Sequence, residues 1–124
     1  MKKFVIIDDS ALMRRVISDI IRQGYKNALV SIAINGLDGY NLLLTKEKPD
    51  VIIMDLNMPK LSGLDLLAKL KELNYDVPIL VVSSVALEGG RETIEALELG
   101  ALDFITKPGG GEVITERFAE KLLE

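Results

Sequence analysis

The feature that most constrains this chain is an alternation of short apolar runs with longer amphipathic stretches. The runs are Phe4 to Ile7, Ala28 to Ile34, Val51 to Met54, Ile79 to Val82 and a weaker Leu102 to Ile105. They are rich in Val and Ile and mostly lack a polar residue at every second place. Successive side chains of a strand point to opposite faces, so an unbroken apolar run marks a strand buried on both faces, as in a parallel sheet. The second run is less uniform and suits an edge.

The stretches between the runs have helical spacing. Leu12, Met13, Val16, Ile17, Ile20 and Ile21 form one apolar stripe, with Ser10 or Asp9 able to cap its start and Gly24 its end. Asn35 can cap a second helix carrying Leu37, Tyr40 and Leu44. A third runs from about Ser62 with Leu64, Leu67 and Leu70 inward. A fourth follows Gly89-Gly90, carries Ile94 and Leu97, and stops at Gly100, a residue suited to positive φ. A last helix starts near Glu112 with Ile114, Phe118 and Leu122 on one face, after the loop Gly109-Gly110-Gly111. The pattern predicts an α/β fold: a doubly wound (βα)5 unit with a parallel five-stranded sheet, flavodoxin-like, in the order 2-1-3-4-5. A chain of 124 residues fits one domain spanning 1–124, long enough to bury roughly two-thirds of its unfolded surface.

In such a sheet, ligands bind at the carboxyl ends of the strands, beside the point where the strand order reverses. The first strand ends in Asp8-Asp9 and the third in Asp55, followed by Leu56-Asn57-Met58-Pro59. The fourth ends in Ser83-Ser84 and the fifth in Thr106-Lys107-Pro108. Three carboxylates, a hydroxyl and an ammonium therefore converge on one small region. Carboxylates this close repel one another and call for a neutralising partner. A hard, oxygen-seeking Mg²⁺ supplies it and keeps waters that an incoming phosphate can displace. A lysine opposite a hydroxyl suits a phosphoryl group, and an aspartate is an accepted nucleophile for phosphate. Each residue alone has a blander reading. Asp8 or Asp9 can cap a helix, Asp55 can serve the turn before Pro59, Ser83 can be a turn hydroxyl, Lys107 a surface lysine, and Phe104 and Met54 core. Four strand ends aligned on one edge favour the joint, functional reading.

Composition narrows the chemistry further. The chain has no Cys, no His and no Trp, which excludes thiolate nucleophiles, Cys- or His-ligated metals and any Ser-His-Asp triad. A net charge of −4 argues against sequence-independent nucleic-acid binding, which rests on dense Lys/Arg contacts to phosphate. The apolar start Phe4 to Ile7 is too short for a signal peptide. The run Val77 to Val82 contains Pro78 and falls far short of the ~20 residues of a membrane span. The expectation is a cytoplasmic protein with no direct nucleic-acid partner and no membrane association.

Asp8-Asp9, the run Met54-Asp55-Leu56-Asn57-Met58-Pro59 with Gly63, Ser83, and the stretch Gly100 to Pro108 resemble the receiver domain of response regulators from bacterial two-component systems. The resemblance covers essentially the whole chain. It implies that Asp55 is the phosphoacceptor, and that Asp8 and Asp9 bind Mg²⁺ with Asp9 the direct ligand. Asp55 and the backbone carbonyl of Asn57 would complete the protein's share of the metal site. Ser83 and Lys107 would hold phosphoryl oxygens, and Ser83 and Phe104 would form the switch. The implied partners are a sensor histidine kinase or phosphotransfer protein and a downstream output domain or protein. The surface made by the fourth helix, fifth strand and last helix would change on phosphorylation. Such a domain is not a conventional enzyme but assists its own phosphorylation and dephosphorylation. A finer resemblance, in Asp8 to Arg14 and in Val82 to Gly100, is to the receiver of chemotaxis methylesterases. The chain would then be a stand-alone receiver or an excised N-terminal domain. Two rival readings are a degenerate receiver used only for docking or dimerisation, and a small Mg²⁺-dependent phosphatase with an Asp nucleophile. The segment Val85 to Leu99, with Gly89-Gly90 breaking the start of the fourth helix, is expected to be the mobile part.

Overall fold

A computed structural model of the chain describes residues 2–45, 48–56, 60–83 and 91–106; for Ser83, 91–93 and 103–106 it describes the backbone. The elements in order are β1 (Lys2–Ile7), α1 (Ala11–Gly24), β2 (Ala28–Ala33), α2 (Gly36–Thr45), β3 (Val51–Asp55), α3 (Gly63–Glu72), β4 (Ile79–Ser83), α4 (Arg91–Glu98) and β5 (Asp103–Thr106). All strand pairs are parallel and the sheet order is β2-β1-β3-β4-β5, as the alternating pattern predicts. The expected last helix lies outside the described residues.

The unbroken apolar runs have the physical cause inferred for them. Along β1, Phe4 and Ile6 face a core with Ile17, Ile20, Ile21, Ile53 and Val82. Val5 and Ile7 face the opposite core with Ala33, Leu43, Ile52, Met54, Leu66, Leu67, Leu70 and Val81. The first core lies under α1, and the second under α2, α3 and α4. Because both faces are covered, every residue from Phe4 to Ile7 is buried. β2 sits at the edge, and its Leu29 and Ile32 are exposed, which explains its less uniform sequence.

Local signals set most helix ends. Ser10 caps α1, its Oγ accepting from the Met13 N–H at 3.2 Å. Asn35 does the same for α2, accepting from the Asp38 N–H at 2.8 Å, and Ser62 for α3, accepting from the Asp65 N–H at 3.2 Å. Each satisfies a donor that the first helical turn leaves without an intrahelical acceptor. After α4, Gly100 takes φ +110, a conformation that a side chain resists, and the Ala101 N–H closes the helix end on Ala96 O at 3.0 Å. Beyond α3, burial pushes the Tyr75 hydroxyl above its ordinary value of 10.0, and it donates to Leu43 O at 3.4 Å, tying the α3 exit to α2.

Two helix faces differ from the sequence expectation. In α2, Leu37 and Leu44 are exposed while Tyr40 packs half-buried against the core, and the buried positions are Gly36, Gly39 and Leu43. A Cβ at Gly39 would lie 2.7 Å from Ile7 Cδ1, so the missing side chain is what lets the helix rest on β1. In α4, Ile94 and Leu97 are exposed and Ala96 is buried. Hydrophobicity alone picks the largest side chains, whereas close approach to a sheet selects the smallest. In α1, Leu12 is likewise exposed, while Ile17, Ile20 and Ile21 are buried.

Candidate functional site

Strand register builds the site. Ile7 pairs with Met54 across β1 and β3, so Asp8 and Asp55 are the next residues along and lie side by side at the carboxyl edge. Asp55 pairs with Val82 on β4, and Ser83, one step further, pairs with Thr106 on β5. Four strands thus bring their ends to one edge, beside the reversal of strand order between β2-β1 and β3.

The carboxylates of Asp8, Asp9 and Asp55 converge: one oxygen from each lies within 4.8 Å of the other two. Asp8 and Asp55 are buried, at 1% and 5% exposure, whereas Asp9 is exposed. The cluster is therefore anchored from below and open above. Asp8 is held from several sides. Its N–H donates to Ala33 O on β2 at 3.2 Å, its Oδ1 accepts from the Ser10 N–H at 2.9 Å, and its carbonyl accepts from Arg14 Nη1 at 2.7 Å. The Ser10 that caps α1 is thus also a support for the first aspartate.

Asp55 is fixed by the return of the chain. The Gly63 N–H donates to Leu56 O at 2.8 Å, and a Cβ on Gly63 would lie 2.5 Å from Asp55 O and 2.6 Å from Leu56 Cα. Only glycine lets the start of α3 fold back against the end of β3. Lys60 takes φ 68 in this return, a left-handed conformation that costs about 1–2 kcal/mol in a non-glycine residue.

The donor set fits a small hard cation. Three carboxylates offer only oxygen, their mutual repulsion turns into attraction around a divalent charge, and the exposed side leaves room for waters. Asp8, Asp9 and Asp55 are the residues that could hold it. Asn57 and Lys107 lie outside the described residues. Ser83 and Phe104 are placed by their backbones, at the end of β4 and on β5 beside Val81. The arrangement sets the buried Asp8 and Asp55 carboxylates beside the exposed Asp9 in one acidic cluster. Arg14 and Gly63 gain structural meaning here beyond their places in the sequence motifs, because both act on backbone atoms of residues distant in sequence or buried beneath them.

The sequence profile of the family described as "Response regulator receiver domain" matches residues 4–119. The chain belongs to this family. The receiver is similar to the protein-glutamate methylesterase/protein-glutamine glutaminase of Treponema pallidum (strain Nichols), at 45% identity over 108 residues covering 87% of this chain and 27% of that protein. The protein of the same name from Archaeoglobus fulgidus is 40% identical over 121 residues, covering 98% of this chain and 34% of that one. The receiver thus spans about a third of the length of these relatives. Among solved structures, the response regulator domain of Thermotoga maritima CheB superimposes with a TM-score of 0.83 at 38% identity, covering 99% of this chain and 91% of that one. The receiver fold and its place in two-component signalling rest on these matches together with the sheet order. None of the described helices is long and apolar enough to cross a membrane.

Proposed function

We propose that residues 1–124 act as one phosphorylation-dependent signalling switch, with Asp55 as phosphoacceptor. The observation that carries the reading is the convergence of the Asp8, Asp9 and Asp55 carboxylates at the strand-end edge of a receiver fold. A carboxylate oxygen of Asp55 attacks the phosphorus of a phosphohistidine on a sensor kinase or phosphotransfer protein. The P–N bond breaks, its electron pair returns to the imidazole nitrogen, and that nitrogen takes up a proton. Asp55 suits this role because β3 and the Gly63 contact fix its backbone at the floor of the pocket. Asp9, Asp55 and the Asn57 carbonyl would hold Mg²⁺, with Asp8 supplying buried negative charge beneath it. When bound, the ion supplies positive charge that screens the pocket and orients the phosphoryl oxygens.

Ser83 and Lys107 would take phosphoryl oxygens, and Phe104 would follow Ser83 inward, changing the surface of α4, β5 and the segment after it. A new group of about −1.5 to −2 charge is enough to bias two arrangements of a few contacts. The likeness to methylesterases supports an output in chemotaxis, with a methylesterase-type domain as the controlled partner.

The test is direct. Incubated with Mg²⁺ and acetyl phosphate, the protein should acquire one acyl phosphate, trapped by borohydride and mapped by mass spectrometry to Asp55. Asp55→Asn should abolish the label. Label on another residue, or undiminished label in the variant, rejects the assignment.

A further inference from the structure

Asp8 lies one residue past the paired part of β1, and the group that reaches its carbonyl is a side chain from the first turns of α1. Arg14 Nη1 donates to Asp8 O at 2.7 Å, the length of a charge-assisted bond. The Asp8 carbonyl and the Asp9 N–H belong to one planar peptide unit, so holding the oxygen also fixes the orientation of the backbone entering Asp9. Asp9 is exposed, and that backbone helps set where its side chain leaves the chain to bring a carboxylate oxygen within 4.8 Å of those of Asp8 and Asp55. Arg14 is itself well placed to hold. Its N–H donates to Ser10 O at 3.0 Å, and its side chain is half-buried between α1 and β2, beside Val30 and Ile32.

We infer that Arg14 is a positioning residue of the metal centre, acting through the Asp8–Asp9 peptide on the carboxylate of Asp9. The inference rests on the reading of the acidic cluster as a Mg²⁺ site. Arg14 exerts two opposite effects there. Its charge repels the incoming cation, and its hydrogen bond pre-orders a ligand. The half-buried guanidinium remains partly solvated, which screens its charge. The hydrogen bond is short and direct, so pre-ordering is the larger effect. Partners that orient metal ligands typically contribute 10–100-fold to affinity. For an open site that retains waters the low end applies, and Arg14→Met is expected to weaken Mg²⁺ binding about tenfold.

Arg15 provides the control, since it is exposed, lies in the same groove, and Arg15→Met removes the same charge. The experiment titrates Mg²⁺ into the full chain and follows amide resonances by NMR for wild type, Arg14→Met, Arg14→Lys and Arg15→Met. Arg14→Met should lose about tenfold in affinity. Arg14→Lys, which keeps a donor, should recover a substantial part of it, and Arg15→Met should match wild type. In metal-free protein the Asp8 carbonyl ¹³C and Asp9 amide ¹⁵N resonances should move in Arg14→Met but not in Arg15→Met, a signature that general loss of stability does not produce. Equal Mg²⁺ affinity in Arg14→Met and wild type, or equal losses in Arg14→Met and Arg15→Met, overturns the positioning role. Should Arg14→Met fail to fold, wild-type affinity in Arg14→Ala together with an unmoved Asp8 carbonyl resonance overturns it as well. Absence of Mg²⁺ binding by wild type instead overturns the metal reading itself, and this inference with it.

Discussion

Gly63 shows how strictly a single position is determined when two backbones meet. Its Cβ would confront Asp55 O and Leu56 Cα, neither of which can rotate away. Gly63→Ala should therefore destabilise by about 3 kcal/mol, at the upper end of the usual cost of overpacking. Gly39→Ala meets the end of the Ile7 side chain instead, which can adjust, and should cost about 1 kcal/mol. Urea unfolding of the two variants tests the order, and equal losses would mean that the β3–α3 return yields more easily than its geometry indicates. The residue scale is also where legibility was uneven. The pair Asp8-Asp9 and Asp55 are readable in the sequence because they follow directly on apolar runs, and parallel strands end on a common edge. The support from Arg14 is not readable, because it depends on where a backbone carbonyl points after the strand has ended. Gly63 is visible as part of a motif, but its reason lies in an approach between backbones that no local pattern encodes.

The helices divide by what lies beneath them. The stripe of α1 reads correctly from Met13 onward because it covers a broad apolar face with Ile17, Ile20 and Ile21. The residues read as the stripes of α2 and α4 are mostly exposed: of Leu37, Tyr40, Leu44, Ile94 and Leu97 only Tyr40 packs against the core, half-buried, while Gly39, Leu43 and Ala96 are buried. Substitution should follow burial and not hydrophobicity. Leu43→Ala is expected to cost about 2–5 kcal/mol, and Ile94→Ser less than about 0.5 kcal/mol. Comparable losses in urea would restore the hydrophobic stripe as the inward face. The same contrast bears on motion. Of the described side chains of α4 only Ala96 is buried, against four buried residues in α1. Opening of α4 should therefore lie near the low end of the domain's free-energy scale. Amides of residues 91–99 are expected to exchange faster than those of α1, and to slow with beryllofluoride and Mg²⁺. Equal protection, unchanged by the phosphate mimic, would place the switch elsewhere.

At the scale of the whole molecule, the acidic cluster couples binding to folding. Its carboxylates come from the end of β3 and from the loop after β1, which only the native sheet brings together, so an ion held there binds the folded chain far better than the unfolded one. Without metal, three like charges within 4.8 Å oppose the native arrangement. With metal, the same charges favour it. Mg²⁺ at ten times its dissociation constant should stabilise the fold by about 1.4 kcal/mol, seen as a rise of several degrees in the thermal midpoint. Asp9→Asn is the informative variant, because it removes one charge from the exposed side of the cluster without opening a cavity. It should raise the midpoint in chelator, where repulsion is relieved, and reduce the gain on adding Mg²⁺, where a ligand is lost. The two midpoint curves should therefore cross as Mg²⁺ increases. A variant whose curve runs parallel to wild type at every concentration would show that Asp9 neither repels its neighbours nor holds the ion.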